Sequence, residues 1–278
     1  SPGEEGFGVG DVSRVIGAET KELAEELSVL YSSITKGRIF SVSSIEVAEA
    51  SKLVENAQRD IDIAFSNELS ILMPKMGLDV EEVLEAASTK WNFHRHTPGM
   101  GVGGHCIPID PHYYIEIARK YGVNSSLSPA ARELNYSMPL YNANEVFRLC
   151  GEVPAKVLVM GYAYKPNVSD TRETPLEPFI SCLVEAGVSQ IMVWDPLVGE
   201  SQLPESVSKI NSLAEASSVD CIVIGTAHDD IVNLDWKRLF ENSNSSLLYD
   251  SRRCLVPEKM EEIGWRFHAI GRPLGAVQ

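Results

Sequence analysis

Apolar residues recur at helical spacing through the first half of the chain. The longest such pattern starts near Ser43, which is spaced from Glu46 as in a capping box, and runs without glycine to about Lys75. A helix of about 30 residues is long for a globular protein and is typical of a backbone between domains or of a dimer interface. Gly77 is expected to end it. Further helices are predicted over 19–34, 79–88, 111–122 and 128–150, the last interrupted near Pro139, with a short strand over 36–42 and a loop over 91–110.

Short, continuous apolar runs alternate with helical segments after residue 151. The runs are AKVLVMGY, QIMVWDP, VDCIVIGTA, SLLYDSR and WRFHAIG, and PLEPFISCLVEAG between the first two has helical spacing. Such strands, alternating with helices, are typical of a mostly parallel sheet covered on both faces. We therefore predict an α/β protein in which a helical part is followed by a doubly wound, mostly parallel sheet domain, with the boundary near residue 151.

Composition and charge restrict the partners of the chain. The 278 residues carry a formal net charge of −15, which argues against DNA, RNA or an anionic membrane as the main partner. No apolar run reaches the length of a membrane span. The five cysteines are odd in number and widely spaced, which favours a reducing, cytoplasmic location over a disulfide framework. Cys150, Cys182 and Cys221 are interpreted as small core residues.

Basic residues follow several of the predicted strands. The turn GYAYKPNVSDTRETP has one glycine where a dinucleotide fingerprint needs three, although the next strand ends in an acid, Asp195. Lys165 and Arg172 lie in this turn, and Arg252 and Arg253 follow a later strand. Ligands of open α/β sheets bind at the carboxyl ends of strands, and fixed cations there suit a phosphate. Solvated surface charges are the alternative interpretation.

The long helix carries a polar pair, Lys52 and Asn56, at positions i and i+4 of one face. A cation and an amide donor on that face could stabilise a developing oxyanion. The alternative is a plain solvated stripe.

The stretch GMGVGGHCIPID places one cysteine, Cys106, directly after a glycine-rich loop, with Asp110 four residues further on. Glycines allow close approach of the backbone to a ligand, and a thiol in such a polar loop is a candidate nucleophile. A buried structural cysteine, a thiol hydrolase and a metal centre are the alternatives. The metal centre would draw on a cluster of nearby side chains that completes no recognised zinc pattern: His94, His96, His105, Cys106 and His112.

Five stretches resemble the UDP-glucose/GDP-mannose dehydrogenase family, in the order that the family has them: VAEASKLVENAQRDIDIAFSNELS, PGMGVGGHCIPIDPHYY, ARELNYSMPLY, VLVMGYAYKPNVSDTRETP and YDSRR. The form HCIPIDP is most similar to the branch that oxidises UDP-N-acetylmannosamine or UDP-N-acetylglucosamine. The resemblance implies a first, NAD-binding Rossmann domain, whose G-x-G-x-x-G between a strand and a helix is absent. The same spacing in GMGVGG, residues 99–104, lies in the predicted loop that carries Cys106. Residues 1–40 are thus expected to be its remnant, 41–150 a helical dimerisation domain with the cysteine loop, and 151–278 a Rossmann-like domain that binds the UDP-sugar.

The resemblance also implies a reaction and a set of roles. The C6 alcohol of the sugar is oxidised in two steps to the uronate, a precursor for surface polysaccharide, with NAD as cofactor and Cys106 as the covalent nucleophile. Lys52 and Asn56 stabilise oxyanions, and Asp110 positions or activates water. The substrate is contacted by Lys165, Arg252, Arg95, Gly103 and Gly104, whereas Arg172 reaches the NAD pyrophosphate. A homodimer is expected through the long helix, and the 278 residues alone are expected to be inactive. A dimerisation and ligand-binding module without catalysis remains the alternative.

Overall fold

The computed structural model describes residues 8–216, 218–243 and 245–274. The chain begins with a small β–α–β unit. Strand β1 (Arg14–Ile16) pairs in parallel with β2 (Ile39–Ser41), and helix α1 (Lys21–Ser32) connects them. The Thr20 side chain accepts a hydrogen bond from the backbone N–H of Leu23 and so caps α1. The helix and the second strand were predicted, although the ends are shorter than the apolar pattern indicated.

Helix α2 (Ile45–Lys75) is a single helix of 31 residues, as the pattern predicted. Its N-cap is Ser44, whose hydroxyl accepts from the N–H of Val47 at 3.3 Å. The capping box assigned to Ser43 and Glu46 was therefore wrong by one residue. At the other end Gly77 adopts a left-handed φ of 76°, which ends the helix as expected.

The buried face of α2 is polar to an unusual degree. Its buried residues alternate small apolar side chains with amides, a carboxylate and hydroxyls: Asn56, Ala57, Asp60, Ala64, Ser66, Asn67, Ser70 and Met73. Large apolar side chains such as Phe65 and Leu72 are half exposed instead. Because buried polar groups need partners, this face is expected to carry a hydrogen-bond network.

Three further helices pack around α2. They are α3 (Val80–Ala87), α4 (Asp110–Lys120) and α5 (Leu127–Cys150). The interruption predicted near Pro139 was wrong, because α5 runs through that proline. Pro139 has no N–H to offer the carbonyl of Asn135 four residues earlier. That carbonyl oxygen lies 2.7 Å from where a Cβ of Gly101 would stand, so the glycine loop packs at this point of the helix.

The C-terminal half contains one sheet in which all described strand pairs are parallel. The strand order is β5-β4-β3-β6-β7-β8, with β3 (Lys156–Met160) and β6 (Cys221–Ile224) at the centre. The chain runs outward from β3 in one direction and then outward from β6 in the other, which is the order of a doubly wound fold. The remaining elements are β4 (Gln190–Trp194), β5 (Ser208–Lys209), β7 (Leu247–Asp250), β8 (Arg266–Ala269), α6 (Leu176–Glu185), α7 (Asp229–Val232), α8 (Trp236–Asn242) and α9 (Pro257–Ile263).

Both faces of this sheet are buried. Along β3, Val157 and Val159 belong to one apolar cluster, whereas Leu158 and Met160 belong to another. The first cluster also includes residues of α5, so the last helix of the helical part packs directly on the sheet. Cys221 is buried in it, and Cys150 and Cys182 pack against it, as predicted for small core residues. The predicted fold class, a helical part followed by a doubly wound parallel sheet, is confirmed.

Among the described residues, none of the helices is long and apolar enough to cross a membrane.

Candidate functional site

The glycine loop lies between the helical part and the first turn of the sheet domain. A Cβ at Gly103 would lie 2.8 Å from the side chain of Tyr164, and one at Gly104 would lie 2.9 Å from its ring. Gly104 has a left-handed φ of 91°, and its N–H donates to the carbonyl of Arg172 at 3.1 Å. The glycines were expected to let the backbone approach a ligand closely; in this structure they let it approach Tyr164. This packing joins the loop to the turn that follows β3.

Cys106 emerges from the loop with an exposed side chain. Its carbonyl accepts hydrogen bonds from the N–H groups of Ile109 (3.0 Å) and Asp110 (2.8 Å), which form the first turn leading into α4. Cys106 thus lies one turn before the first residue of an 11-residue helix. An exposed position does not fit the alternative of a buried structural cysteine.

Asn56 brings the long helix to this site. Its side chain is 1% exposed, and its Nδ2 donates to Oδ2 of Asp110 at 2.5 Å. Asp110 is the first residue of α4 and lies one turn after Cys106. The structure therefore places together two residues that are 54 positions apart in the sequence and were both singled out there.

Lys52 lies one helical turn before Asn56 on α2, and its ammonium is more than half exposed. Its Nζ donates to Oε2 of Glu55 at 2.7 Å, and Arg59 contacts the other oxygen of the same carboxylate. In this arrangement Lys52 belongs to a surface charge cluster with Glu55 and Arg59 on α2. Exposed ion pairs of this kind hold their partners weakly, so the ammonium can move to another anion.

A buried polar network, which the sequence did not reveal, extends from this site across the protein. Asp60, one turn beyond Asn56, accepts from Arg132 Nη1 at 2.6 Å and from Asn135 Nδ2 at 2.8 Å. Asn135 in turn accepts from Nδ2 of Asn67 at 2.9 Å. All four side chains are at most 3% exposed. Burial raises the pKa of Asp60, and Arg132 and Asn135 only partly offset this effect.

The network continues through the glycine loop into the sheet. The N–H of Gly99 donates to Oδ1 of Asn67 at 2.9 Å, so the buried amide holds the start of the loop. Asn142 of α5 lies against Gly99 and accepts from the hydroxyl of Tyr249 on β7 at 2.6 Å. The only sequence signal for this chain of contacts was the spacing of polar residues on α2, where Asn56, Asp60 and Asn67 share one face.

Arg252, which follows β7, is half buried beside the glycine loop. Its Nη1 lies 2.8 Å from where a Cβ of Gly99 would stand, and burial lowers its pKa. Among the described residues, no carboxylate oxygen lies within 4.0 Å of its guanidinium. A cation in this position can bind an anion that enters between the loop and the sheet.

The other basic candidates have different surroundings. Lys165 lies in the turn after β3, at the centre of the sheet, where the direction of the strand order reverses. Arg172 is largely exposed and forms a forked ion pair with Asp170, with a shortest contact of 2.5 Å, which lowers the pKa of that carboxyl. Arg253 is paired with Asp79 and also donates to the carbonyl of Ile270, so it joins α3 to the last strand.

Arg95, the candidate just before the glycine loop, is paired with Glu81 of α3. In this structure it stabilises the position of the 91–98 segment on the helical part.

Asp195, the acid at the end of β4, is fully occupied by the protein. It accepts from the N–H groups of Tyr162 (2.7 Å), Ala163 (3.2 Å) and Leu197 (2.8 Å), and it lies 3.1 Å from Nε2 of His228. A dinucleotide fold needs this acid for a ribose hydroxyl and three glycines for the pyrophosphate. In this sheet domain the acid is engaged by the protein, and the turn after β3 has one glycine.

The histidines near Cys106 have separate environments. His94 lies 4.0 Å from Asp62, and His112 stacks on the ring of Tyr136 with a centroid distance of 6.3 Å. Within the part of the chain that the structure describes, no three His, Cys, Asp or Glu side chains are grouped so that they could hold a metal ion.

The fold and this geometry define a class: a helical part that carries a thiol site, packed on the carboxyl ends of a nucleotide-binding type of α/β sheet. Residues 46–137 match the central domain of the UDP-glucose/GDP-mannose dehydrogenase family, and residues 158–257 match the UDP-binding domain of the same family. The chain belongs to this family.

Individual relatives agree with this assignment. The chain is 34% identical over 268 residues to the UDP-N-acetyl-D-glucosamine 6-dehydrogenase of Pseudomonas aeruginosa. The matched region covers 94% of the chain and 63% of that protein. It is 34% identical to the UDP-N-acetyl-D-mannosamine dehydrogenase of Methanocaldococcus jannaschii, over 93% of the chain and 59% of that protein. The structure of UDP-D-ManNAc dehydrogenase from Pyrococcus horikoshii superposes with a TM-score of 0.81 at 32% identity, over 94% of this chain and 60% of that one. The chain thus spans about three-fifths of the length of these relatives.

Proposed function

We propose that this chain is the thiol-bearing and substrate-binding part of an NAD-dependent UDP-N-acetylhexosamine 6-dehydrogenase. The observation that supports this most directly is the contact of Asn56 with Asp110, one turn from the exposed Cys106. The relatives named for N-acetylglucosamine and N-acetylmannosamine support an N-acetylated sugar as the substrate. The product would be a uronate for the synthesis of surface polysaccharide.

In the proposed chemistry the residues of the site act one after another. The Cys106 thiol adds to the C6 aldehyde of the partly oxidised sugar: a C–S bond forms, and the thiol proton passes to the former carbonyl oxygen. Lys52 and Asn56 donate hydrogen bonds to the oxygen as charge develops there. After oxidation of this adduct to a thioester, Asp110 accepts a proton from water, which attacks the carbonyl carbon and releases the uronate and the thiol.

NAD would supply the hydride acceptor for both oxidations. Because Asp195 is engaged by the protein and the turn after β3 has one glycine, we assign NAD to the first domain of the family, to which residues 1–40 would belong. Arg172, which in this structure is paired with Asp170, would reach the pyrophosphate of the cofactor. The 278 residues alone are expected to leave NAD unreduced, and robust NAD reduction by this chain would contradict the assignment.

The substrate would bind between the glycine loop and the sheet. Arg252 beside Gly99, together with Lys165 in the turn after β3, suits the diphosphate, because ligands of doubly wound sheets bind at this edge. Gly103, Gly104 and Arg95 would complete the contacts around the sugar. In this proposal, residues 41–150 are the central domain and 151–278 the domain that binds UDP.

The thiol step can be tested on the chain as it is, without cofactor. The 6-aldehyde of UDP-N-acetylglucosamine should protect Cys106 from iodoacetamide, because the adduct removes the free thiol, whereas UDP alone should protect it much less. Peptide mass spectrometry gives the rate for each cysteine, and the half-buried Cys182 serves as the internal control. Equal protection by UDP and by the aldehyde would contradict a covalent role for Cys106.

The nucleotide site has its own measurement. Arg252→Ala should weaken UDP binding in calorimetry by about tenfold or more, as expected for loss of a charge-assisted contact. Arg238→Ala, an exposed arginine on α8, is the matched control and should bind UDP like the original chain. Unchanged UDP affinity in the Arg252 variant would contradict the proposed site.

The proposed homodimer rests on the outer surface of the helical part. A groove of about 370 Å³ lies between α2 and the segment that joins α4 to α5, and it is lined by Val54, Ile61, Tyr114, Val123 and Leu127 among others. Four of these side chains, Val54, Tyr114, Val123 and Leu127, are between 38% and 70% exposed. A contiguous apolar surface of this kind marks an interface more often than a free surface.

A further inference from the structure

A second cavity lies outside the proposed active site, next to β8, which forms one edge of the sheet. It has a volume of about 310 Å³, and it is bounded by the end of α5, the starts of β7 and β8, and residues 272–274. Lys165 and Arg252 follow the opposite, carboxyl ends of their strands. The cavity is therefore separate from the edge of the sheet at which a UDP-sugar is proposed to bind.

Three arginines line this cavity: Arg148, Arg266 and Arg272. Arg148 is paired with Glu145 at 2.6 Å, and Arg272 with Glu261 at 2.6 Å. Arg266 donates to the carbonyl of Leu149 at 2.8 Å, and no carboxylate of the described residues lies within 4.0 Å of it. The cavity therefore has an excess of positive charge in a chain whose net charge is −15.

His268 is a second, independent sign of a ligand. It lines the cavity, is only 6% exposed and stacks on Tyr249 with an interplanar angle of 16°. Neither of its ring nitrogens makes a hydrogen bond within residues 8–216, 218–243 and 245–274. Burial, followed by the charge of Arg148, lowers the pKa of His268 to about 4, so its neutral ring has one donor and one acceptor to offer. Because His268 lines the cavity, its ring nitrogens are available to a ligand there.

Glu261, the partner of Arg272, also lines the cavity, and the remaining walls are apolar. They include Leu149, Leu247, Phe267 and Leu274. Small-molecule sites have this composition, with apolar walls and a few polar groups that fix orientation, and volumes from about 300 Å³ upward. We propose that this cavity binds a small organic anion, with its phosphate or carboxylate on Arg266 and His268 and its apolar body against Phe267 and the leucines.

Calorimetric titration with three probes tests the proposal. Phenyl phosphate and benzoate carry the two candidate anionic groups on the same apolar ring, and inorganic phosphate lacks the ring. We expect phenyl phosphate or benzoate to bind with a dissociation constant of about 1 mM or lower, and inorganic phosphate to bind about tenfold more weakly. The better of the two ring probes identifies the anionic group.

Variants locate the binding. Arg266→Gln and His268→Gln should each weaken the binding of the better ring probe by about tenfold or more. Arg266→Lys, which keeps the charge, should weaken its binding less. Arg238→Gln, a change at an exposed arginine of α8 that does not line the cavity, is the control. Thermal melting of each variant establishes that it is folded. In NMR spectra of the original chain, the ring signals of His268 should shift when the ring probe is added.

Saturating UDP separates this site from the proposed active site. The ring probe should bind equally well with and without UDP, since the two sites lie at different ends of the strands. Competition by UDP, absence of binding by both ring probes at millimolar concentration, or equal binding by the Arg266, His268 and control variants would each overturn the proposal.

Discussion

At the scale of single residues, the carboxylate of Asp195 organises the turn that carries Tyr164 and Lys165. It accepts hydrogen bonds from backbone N–H groups that follow β3 and from others that follow β4. His228, which contacts this carboxylate through Nε2, accepts through Nδ1 from the N–H of Asn167 at 2.9 Å. Burial by itself would raise the pKa of Asp195, but the hydrogen bonds from His228 and from the backbone outweigh it and hold the pKa well below its usual range. The acid is thus a structural residue that shapes the proposed phosphate site.

Replacing this carboxylate should destabilise the fold. Asp195→Asn removes a charged acceptor from four backbone N–H groups and a histidine, which we expect to lower the free energy of unfolding by about 3 kcal/mol. Urea denaturation at pH 6 measures this decrease in the free energy of unfolding. Asp230→Asn, an exposed acid on α7, is the control and should change stability by no more than about 0.5 kcal/mol.

The same variant has a definite pH dependence. Because the pKa of Asp195 is lowered in the folded state, its stabilising contribution is complete above the unfolded value, about 3.9, and is lost as the pH falls below it. The difference between Asp195→Asn and the original chain should therefore be constant from pH 8 to 5 and shrink toward pH 3. A difference that is unchanged at pH 3 would show that the ionised carboxylate is not the cause.

At the scale of elements, α2 shows which features of a helix sequence patterns predict and which they miss. Its length and its end at Gly77 followed from the absence of glycine before Gly77 and of proline before Pro74, in the last turn, which are local properties. Its buried face did not follow, because Asn56, Asp60 and Asn67 are buried while Phe65 and Leu72 are half exposed. Asp60 and Asn67 find their partners in Arg132 and Asn135, more than 60 positions away, and Asn56 finds its partner in Asp110, 54 positions away. Periodicity contains no information about such partners.

The ion pair between α2 and α5 gives a prediction at this scale. Arg132→Met leaves the Asp60 carboxylate buried without its cation and should lower the free energy of unfolding by about 3–5 kcal/mol in urea denaturation. Since burial already raises the pKa of Asp60, protonation should relieve part of this loss, and the deficit should shrink as the pH falls from 7 toward 5.

The double variant Asp60→Asn with Arg132→Met is the matched control for the charge. It removes both charges and keeps an acceptor for the amide of Asn135. It should be more stable than Arg132→Met alone by about 2 kcal/mol. A double variant that is no more stable than the single one would show that packing of Arg132 on Tyr136, 4.1 Å from the ring centroid, accounts for the loss instead.

At the scale of the whole molecule, one chain of contacts connects the helical part to the sheet through the glycine loop. Asn67 binds Gly99, Gly99 lies against Asn142 and Arg252, and Asn142 binds Tyr249 of β7. The order of the sheet was predictable, because continuous apolar strands alternate with helices. The contact of Asn56 with Asp110, one turn after Cys106, was suggested by family resemblance alone, because it arises from tertiary packing.

The apolar groove between α2 and the α4–α5 connection yields the last prediction. Val54 is 54% exposed on α2, so a charge there should cost little in a monomer but would be buried without a partner at a dimer interface. Val54→Glu should therefore shift the chain from dimer to its monomer mass of 30.6 kDa in sedimentation, with an unchanged melting temperature at high dilution. Val184→Glu, an equivalent change at a 43% exposed valine on α6, should remain dimeric. Sedimentation of the original chain as a monomer at micromolar concentration would contradict the interface, because a stable assembly buries about 1,200 Å² or more of such surface and persists at that dilution.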